Sequence, residues 1–182
     1  MGIDTNRTFV PLGIAVLTVS DTRDASSDRS GNYLSAAAEE AGHSIASKEI
    51  IPDDRARIAE RLLSLCREEG VDVVLCTGGT GLTGRDVTPE AVEDVADKRI
   101  PGFGELFRWL SYQKIGTSTI QSRACAATCN GRLVFALPGS PGACRDAWEG
   151  ILLPQLDIRH RPCNFAEILP RMSESPQHRR KT

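Results

Sequence analysis

A chain of 182 residues is near the upper limit of one ordinary domain, and 40% hydrophobic with 25% charged residues is typical of a folded globular protein. The 22 basic and 24 acidic residues leave a net charge of -2, which excludes a general attraction to nucleic acid or to an anionic membrane surface. No apolar run approaches the roughly 20 residues of a membrane span, and residues 1–7 lack the apolar centre of a secretory signal, so we expect a cytoplasmic protein.

The first half of the chain is predicted to alternate strands and helices. Residues 13–20 are almost continuously aliphatic and β-branched, which is typical of a strand buried on both faces of a parallel sheet. Either Asp53 or Asp54 is able to cap the helix that follows them, and Asp54 is the preferred cap. The predicted elements are strands over 13–20, 44–51 and 71–77 and helices over about 31–41 and 55–69.

The second half continues the alternation. Pro89 suits the first position of a helix, with Thr88 as its cap. Further elements are predicted as helices over about 103–115 and 119–127, a strand over 132–137 and a helix from there to about 158. This pattern predicts a three-layer α/β fold, with a mostly parallel sheet and helices on both faces. We expect one domain over residues 1–170 and a polar, disordered tail over 171–182.

The six cysteines do not predict a metal site. No C-x-x-C pair is present, and Cys66 and Cys76 lie in apolar stretches that indicate core positions. Cys125 and Cys129 stand four residues apart, which would place both on one face of a helix, but two thiols cannot complete a tetrahedral zinc site.

The turns that leave the predicted strands are the candidate functional region. In an open α/β sheet the ligand binds outside the carboxyl ends of the strands. Four such turns are rich in Gly, Pro, Asp or hydroxyl residues, which any single loop also favours. Their coincidence on one sheet edge predicts a binding site. The turns are Ser20-Asp21, 52–54, 78–86 and 138–142.

The glycine-rich turn over 78–84 is predicted to bind phosphate or a planar heterocycle. Its glycines can adopt positive φ, which lets successive backbone N–H groups converge on phosphate oxygens. The turn contains G-x-G-x-x-G, but it follows the third strand and its helix starts only at Pro89, so a dinucleotide site is not favoured. No Lys-Ser/Thr pair follows, which excludes a Walker loop.

Acidic and basic residues flank this turn. Asp53 and Asp86, from different loops facing a phosphate, form a plausible Mg²⁺-nucleotide site, because Mg²⁺ prefers few carboxylates plus phosphate oxygens. Arg85 and Arg123 are candidates for neutralising phosphate charge. Ser140 and Cys144 lack an activating base and are poor candidates for a covalent nucleophile.

The segment T-G-G-T-G-L-T-G-R-D-V-T-P-E-A over 77–91, followed by P-G-F-G-E over 101–105, resembles the molybdenum cofactor biosynthesis fold shared by molybdopterin adenylyltransferases. The resemblance spans about residues 10–170 and is closest to the MoaB branch. The segments that are similar to this branch are T-V-S-D-T-R over 18–23, S-G-N-Y-L over 30–34, I-G-T-S-T-I-Q-S-R-A over 115–124 and R-P-C-N-F over 161–165.

The resemblance implies that AMP is transferred from ATP to the terminal phosphate of molybdopterin, with Mg²⁺ as cofactor and pyrophosphate as product. Asp53 and Asp86 take the positions of the catalytic, metal-binding acids. The resemblance also implies that the chain forms homo-oligomers, either trimers or hexamers, and that the product is handed over to a molybdate-inserting protein. The implied substrate-binding residues are Ser20, Asp21, Gly78, Gly79, Thr80, Gly81, Arg85, Thr88, Glu90, Ser122, Arg123, Pro138, Gly139 and Ser140.

Two questions stay open at this point. Some relatives lack one acidic position and bind molybdopterin without turnover; this chain keeps both acids, which favours an enzyme over a binding protein. The apolar residues of the helix over 103–115 fit either an oligomer interface or the core. These residues are Phe103, Phe107, Trp109 and Leu110.

Overall fold

A six-stranded mixed sheet runs through residues 2–174, the part of the chain that this computed structural model describes. The strands are β1 (Gly13–Val19), β2 (Ser44–Ile51), β3 (Val73–Thr77), β4 (Lys98–Arg99), β5 (Cys125–Cys129) and β6 (Arg132–Leu137). Their spatial order is β2-β1-β3-β6-β5-β4. The first four in this order are parallel, and β5 is antiparallel to both β6 and β4. The sheet is therefore mostly parallel, as predicted.

Helices cover both faces of the sheet, which confirms the three-layer α/β fold. They are α1 (Arg29–Glu40), α2 (Arg55–Leu65), α3 (Thr88–Val95), α4 (Pro101–Ile115), α5 (Pro141–Ala147), α6 (Leu153–Gln155) and α7 (Phe165–Ile168). One core cluster joins the sheet to α1, α4 and α5, and a second joins it to α2 and α3. No helix within residues 2–174 is long and apolar enough to cross a membrane.

The strand β1 shows why the apolar runs become central strands. Its residues Ile14 and Val16 pack into the first cluster, whereas Ala15 and Leu17 pack into the second, so both faces of the strand are buried. A strand covered on both sides needs apolar residues at every position, which explains the continuous run. The chain passes from β1 through α1 to β2, and returns through α2 on the opposite face to β3, so the crossover direction changes between β1 and β3.

The helix predicted over 119–127 is wrong. The structure has a 3₁₀ helix over Gly116–Gln121 and then the strand β5. Alanine favours helix, but pairing with β6 along the whole of β5 outweighs that local preference. Cys125 and Cys129 therefore lie on a strand, where side chains four apart again share one face, and both pack toward the second cluster.

Smaller differences concern element ends. The helix predicted over 55–69 ends at Leu65, and the strand predicted from residue 71 begins at Val73. The two-residue edge strand β4 was not predicted. The helix predicted to continue to about residue 158 changes to π-helical geometry over Trp148–Leu152. Residues 171–174 of the predicted tail include the end of a 3₁₀ turn, and the rest of the tail lies outside the described residues.

Candidate active site

A cavity of about 470 Å³ opens at the carboxyl ends of β1, β3 and β6. It lies where the crossover direction changes, which is the usual ligand position in an open α/β sheet. Of the predicted site residues, the cavity wall contains Ser20, Gly78, Gly79, Thr80, Gly81, Asp86, Ser122, Pro138, Gly139 and Ser140. The wall also contains Val19, Thr22, Arg23 and Gln121, which were not predicted.

The glycine loop, residues 78–84, forms one side of this cavity and needs glycine at its first two positions. Gly78 and Gly79 have φ values of 107° and 61°. A Cβ on Gly78 would overlap the carbonyl oxygen of Val19. A Cβ on Gly79 would lie 2.5 Å from Oγ1 of Thr88 and 2.9 Å from Oδ1 of Asp53. The loop backbone therefore lies in direct contact with its neighbours, at an approach that only glycine allows.

Thr88 holds the glycine loop in place. Its Oγ1 donates a hydrogen bond to the carbonyl oxygen of Gly78 at 2.8 Å, and its N–H donates to that of Gly79 at 3.0 Å. The prediction that Thr88 caps the helix is wrong, because the cap position is Val87 and carries no side-chain capping bond. The Thr88 hydroxyl is used on the loop instead.

Asp53 lies beside Gly79 and Asp86 beside Gly81, so both carboxylates flank the glycine loop. Hydrogen bonds from the hydroxyl and N–H of Thr83 to Oδ2 of Asp86, at 2.6 and 2.8 Å, lower the pKa of Asp86. Burial raises the pKa of Asp53, and the negative charge of Asp86 raises it further. Two neighbouring carboxylates of which one is half-buried favour a divalent cation, because its charge relieves their repulsion.

Asp53 and Asp86 suit a Mg²⁺ ion that also binds substrate and water better than they suit a metal ion held by protein ligands alone. Among residues 2–174, no group of three or more His, Cys, Asp or Glu side chains is arranged to hold an ion. Mg²⁺ is usually bound by one or two carboxylates and completes its shell with water and substrate phosphate oxygens. The chemistry of Asp53 and Asp86 beside the glycine loop matches that requirement.

The structure separates the roles of Asp53 and Asp54. The carboxylate of Asp54 accepts a hydrogen bond from the N–H of Arg57 at 2.9 Å and caps α2, as predicted. Asp53 instead faces Gly79, and its N–H donates to Oδ1 of Asp21 at 3.2 Å. Only Asp53 is therefore placed beside the loop.

The cap can be tested by Asp54→Ala. We expect this change to lower the free energy of unfolding by about 1 kcal/mol, because an N–H group of the first turn of α2 loses its acceptor. Urea denaturation measures the effect, and Asp54→Ser, which keeps a capping oxygen, should restore most of it. An equal loss in the serine variant would contradict the capping role.

Besides Asp53 and Thr88, four predicted residues lie outside the cavity wall, and of these four Arg123 is hydrogen-bonded to the glycine loop. Arg123 donates to the carbonyl oxygens of Gly81 at 2.7 Å and Asp86 at 2.6 Å and forms an ion pair with Glu90. Arg85, which is mostly exposed, pairs with Asp21. Direct contact with substrate stays a prediction for Asp21, Arg85, Glu90 and Arg123, as it does for the residues of the cavity wall.

The turn 138–140 also lines the cavity, next to the start of the glycine loop. Oγ of Ser140 accepts from the N–H of Ala143 at 3.3 Å and caps α5, so its hydroxyl has a structural partner. The carbonyl oxygen of Gly139 accepts from Oγ of Ser30 at 3.0 Å and from Nη2 of Arg23 at 2.7 Å. Cys144 is fully buried, and burial raises the pKa of its thiol, which disfavours a nucleophilic thiolate.

Sequence analysis did not predict Arg23, and among the unpredicted residues of the cavity wall Arg23 has the clearest chemical consequence. It stands in the turn that leaves β1, three residues after Ser20, and its N–H donates to Oγ of Ser20 at 3.2 Å. A basic residue in a strand-end turn that also contains Ser20 was the available signal.

Comparison with known proteins shows which proteins this chain is similar to. A family described as a probable molybdopterin binding domain matches residues 15–158. Molybdenum cofactor biosynthesis protein B of Escherichia coli strain K12 is 52% identical over 157 residues, which cover 86% of this chain and 92% of that protein. The protein of the same name from Bacillus cereus is 49% identical over 142 residues, covering 78% and 84%.

Solved structures show the same fold. A crystal structure of a molybdenum cofactor biosynthesis protein B superposes with a TM-score of 0.83 at 42% identity and covers 91% of this chain and 98% of that chain. The molybdopterin biosynthesis enzyme MoaB of Thermus thermophilus gives a TM-score of 0.74 at 30% identity, with coverage of 91% and 98%.

Proposed function

Because this chain belongs to the MoaB family of molybdenum cofactor biosynthesis proteins, we propose that it transfers AMP from ATP to the terminal phosphate of molybdopterin. The products are adenylylated molybdopterin and pyrophosphate. The observation that carries the proposal is the acid pair of Asp53 and Asp86 beside the glycine loop, at the carboxyl ends of the parallel strands. A protein that only bound a pterin would not need a repulsive pair of carboxylates there.

The reaction requires positioning and charge neutralisation more than a covalent nucleophile. A terminal phosphate oxygen of molybdopterin attacks the α-phosphorus of ATP, the new P–O bond forms, and the bond to the β-phosphate oxygen breaks with pyrophosphate as leaving group. Asp53 and Asp86 would hold Mg²⁺, which would supply positive charge to the reacting phosphates. The N–H groups of Gly79 and Thr80 orient phosphate oxygens, and Thr88 and Arg123 hold that loop in position.

A turnover assay tests the proposal. The purified chain, supplied with ATP, Mg²⁺ and molybdopterin, is expected to release one pyrophosphate for each adenylylated pterin detected by mass spectrometry. Omitting either the pterin or Mg²⁺ should stop the release. If the chain binds molybdopterin tightly yet releases no pyrophosphate, the adenylyl transfer proposal fails and the chain is a binding protein of the same pathway.

Self-association and hand-over of the product complete the proposal. The helix α4 divides its apolar residues: Phe103 and Phe107 are buried in the core, whereas Trp109 is 60% exposed. The exposed large apolar residues of this helix and of the 3₁₀ helix after it form an apolar outer face, which is typical of an oligomer interface. This outer face consists of Leu106, Trp109, Tyr112, Ile115 and Ile120. Transfer of adenylylated molybdopterin to a molybdate-inserting protein would follow release.

The assembly can be tested with Trp109→Glu. We expect light scattering to give a trimer or hexamer of the 19.7 kDa chain for the wild type and a smaller species for the variant, because a charge in an apolar interface is costly. Val10→Glu, at an exposed apolar residue away from this face, is the control and should assemble normally. A monomeric wild type would contradict the proposed assembly.

A further inference from the structure

Arg23 is a cation in the cavity wall without a carboxylate partner. Its Nη2 donates to the carbonyl oxygen of Gly139 at 2.7 Å, but none of the ion pairs within residues 2–174 includes it. The other two arginines near the loop are neutralised, Arg85 by Asp21 and Arg123 by Glu90. Arg23 therefore keeps both its charge and its remaining N–H donors available on the cavity side.

The surrounding turn holds Arg23 in position before any ligand arrives. The backbone N–H groups of Thr22 and Arg23 both donate to Oγ of Ser20, at 3.3 and 3.2 Å, which closes the turn after β1. The Gly139 carbonyl oxygen that accepts from Arg23 is also held by Oγ of Ser30 at 3.0 Å. A guanidinium fixed at one edge loses little further freedom when its other edge binds an anion.

Arg23 and Asp86 lie beside different parts of the cavity wall. A Cβ on Gly139 would be 3.9 Å from Nη1 of Arg23 and 3.2 Å from Cα of Gly78, so the guanidinium is beside Gly139, at the point where the turn 138–140 meets the start of the glycine loop. A Cβ on Gly81 would be 2.8 Å from Oδ2 of Asp86, so this carboxylate is beside a later residue of the same loop. The cavity thus has a cationic end and an acidic end, and the same loop lies between them.

Two anions of different kinds match these two ends. A nucleotide triphosphate reaches a pair of carboxylates as its Mg²⁺ complex, whereas a phosphate monoester without a metal is bound by a guanidinium, often through two parallel hydrogen bonds. We propose that Arg23 binds the phosphate monoester of the acceptor pterin and selects the phosphorylated form of that substrate. This assignment rests on the proposed adenylyl transfer, in which that phosphate is the attacking group.

The test compares molybdopterin with the same pterin after phosphatase removes its phosphate. In equilibrium titrations, Arg23→Gln is expected to bind molybdopterin about 10- to 100-fold more weakly, the usual loss for a charge-assisted hydrogen bond to a phosphate. Its affinity for the dephosphorylated pterin should equal that of the wild type, and KM for ATP should not change. Arg23→Lys should recover part of the loss. Arg29→Gln, at an exposed arginine that begins α1, is the control and should behave as the wild type.

Each alternative outcome is distinct. An equal loss for both pterins would mean that Arg23 only supports the turn 138–140, and a raised KM for ATP would mean that it serves the nucleotide; both results overturn the assignment. If the wild type releases no pyrophosphate but still prefers the phosphorylated pterin in an Arg23-dependent way, adenylyl transfer fails while phosphate binding by Arg23 stands. If turnover occurs and Arg23→Gln leaves KM for molybdopterin unchanged, only the Arg23 assignment fails.

Discussion

Replacement of Asp86 by asparagine is expected to lower the rate of pyrophosphate release at least about 100-fold while molybdopterin still binds. The amide keeps an oxygen that can accept from the N–H of Thr83, so the loop should retain its conformation. The negative charge that raises the pKa of Asp53, and that we propose helps to bind Mg²⁺, is lost. Steady-state pyrophosphate release measures the rate, and equilibrium titration measures molybdopterin binding in the same preparation.

A matched substitution separates this effect from a general loss of charge. Asp94 is an exposed carboxylate on α3 whose partner is Arg55, away from the cavity wall. Asp94→Asn removes the same charge and should change the rate less than about twofold, since exposed ion pairs contribute little. Retention of near wild-type turnover by Asp86→Asn would contradict a metal-binding role for Asp86. Loss of molybdopterin binding together with turnover would place Asp86 in the pterin site instead.

Replacement of Gly78 by alanine is expected to lower the free energy of unfolding by about 2 to 4 kcal/mol. Two costs add. Alanine rarely adopts a φ of 107°, and its Cβ would overlap the backbone carbonyl oxygen of Val19. A carbonyl at the end of the central strand β1 cannot move aside as a flexible side chain could, because β1 is hydrogen-bonded to strands on both sides.

The same loop offers a control at Gly84. A Cβ there meets no heavy atom within 4 Å, and the residue does not have positive φ, so Gly84→Ala should change stability by less than about 0.5 kcal/mol. Both variants are compared by urea denaturation followed by circular dichroism. Equal stability of the two would contradict the close approach of Gly78 to Val19. Ligand affinity should fall in Gly78→Ala even under conditions where that variant stays folded.

Local chemistry explains why much of the fold was predictable. The strands β1, β3 and β6 are continuous apolar runs, and such runs have no stable alternative to burial in the middle of a sheet. The turns after β3 and β6 contain glycines and prolines, and the turn after β1 contains Ser20 and Asp21, so the region of the cavity could be predicted too. The strand β5 could not be predicted, because its alanines favour helix and only its pairing with β6 makes it a strand.

The sequence by itself determined the alternation of strands and helices, the glycine loop and its candidate acids Asp53 and Asp86, since each depends on residues that are neighbours in the chain. The tertiary structure alone decided that Thr88 supports the loop rather than caps α3, and that Arg123 braces it from behind. It also placed Arg23 in the cavity wall without an ion-pair partner among residues 2–174. These roles depend on which loops the sheet order brings together, and contacts between residues far apart in the chain leave no periodic signal in it.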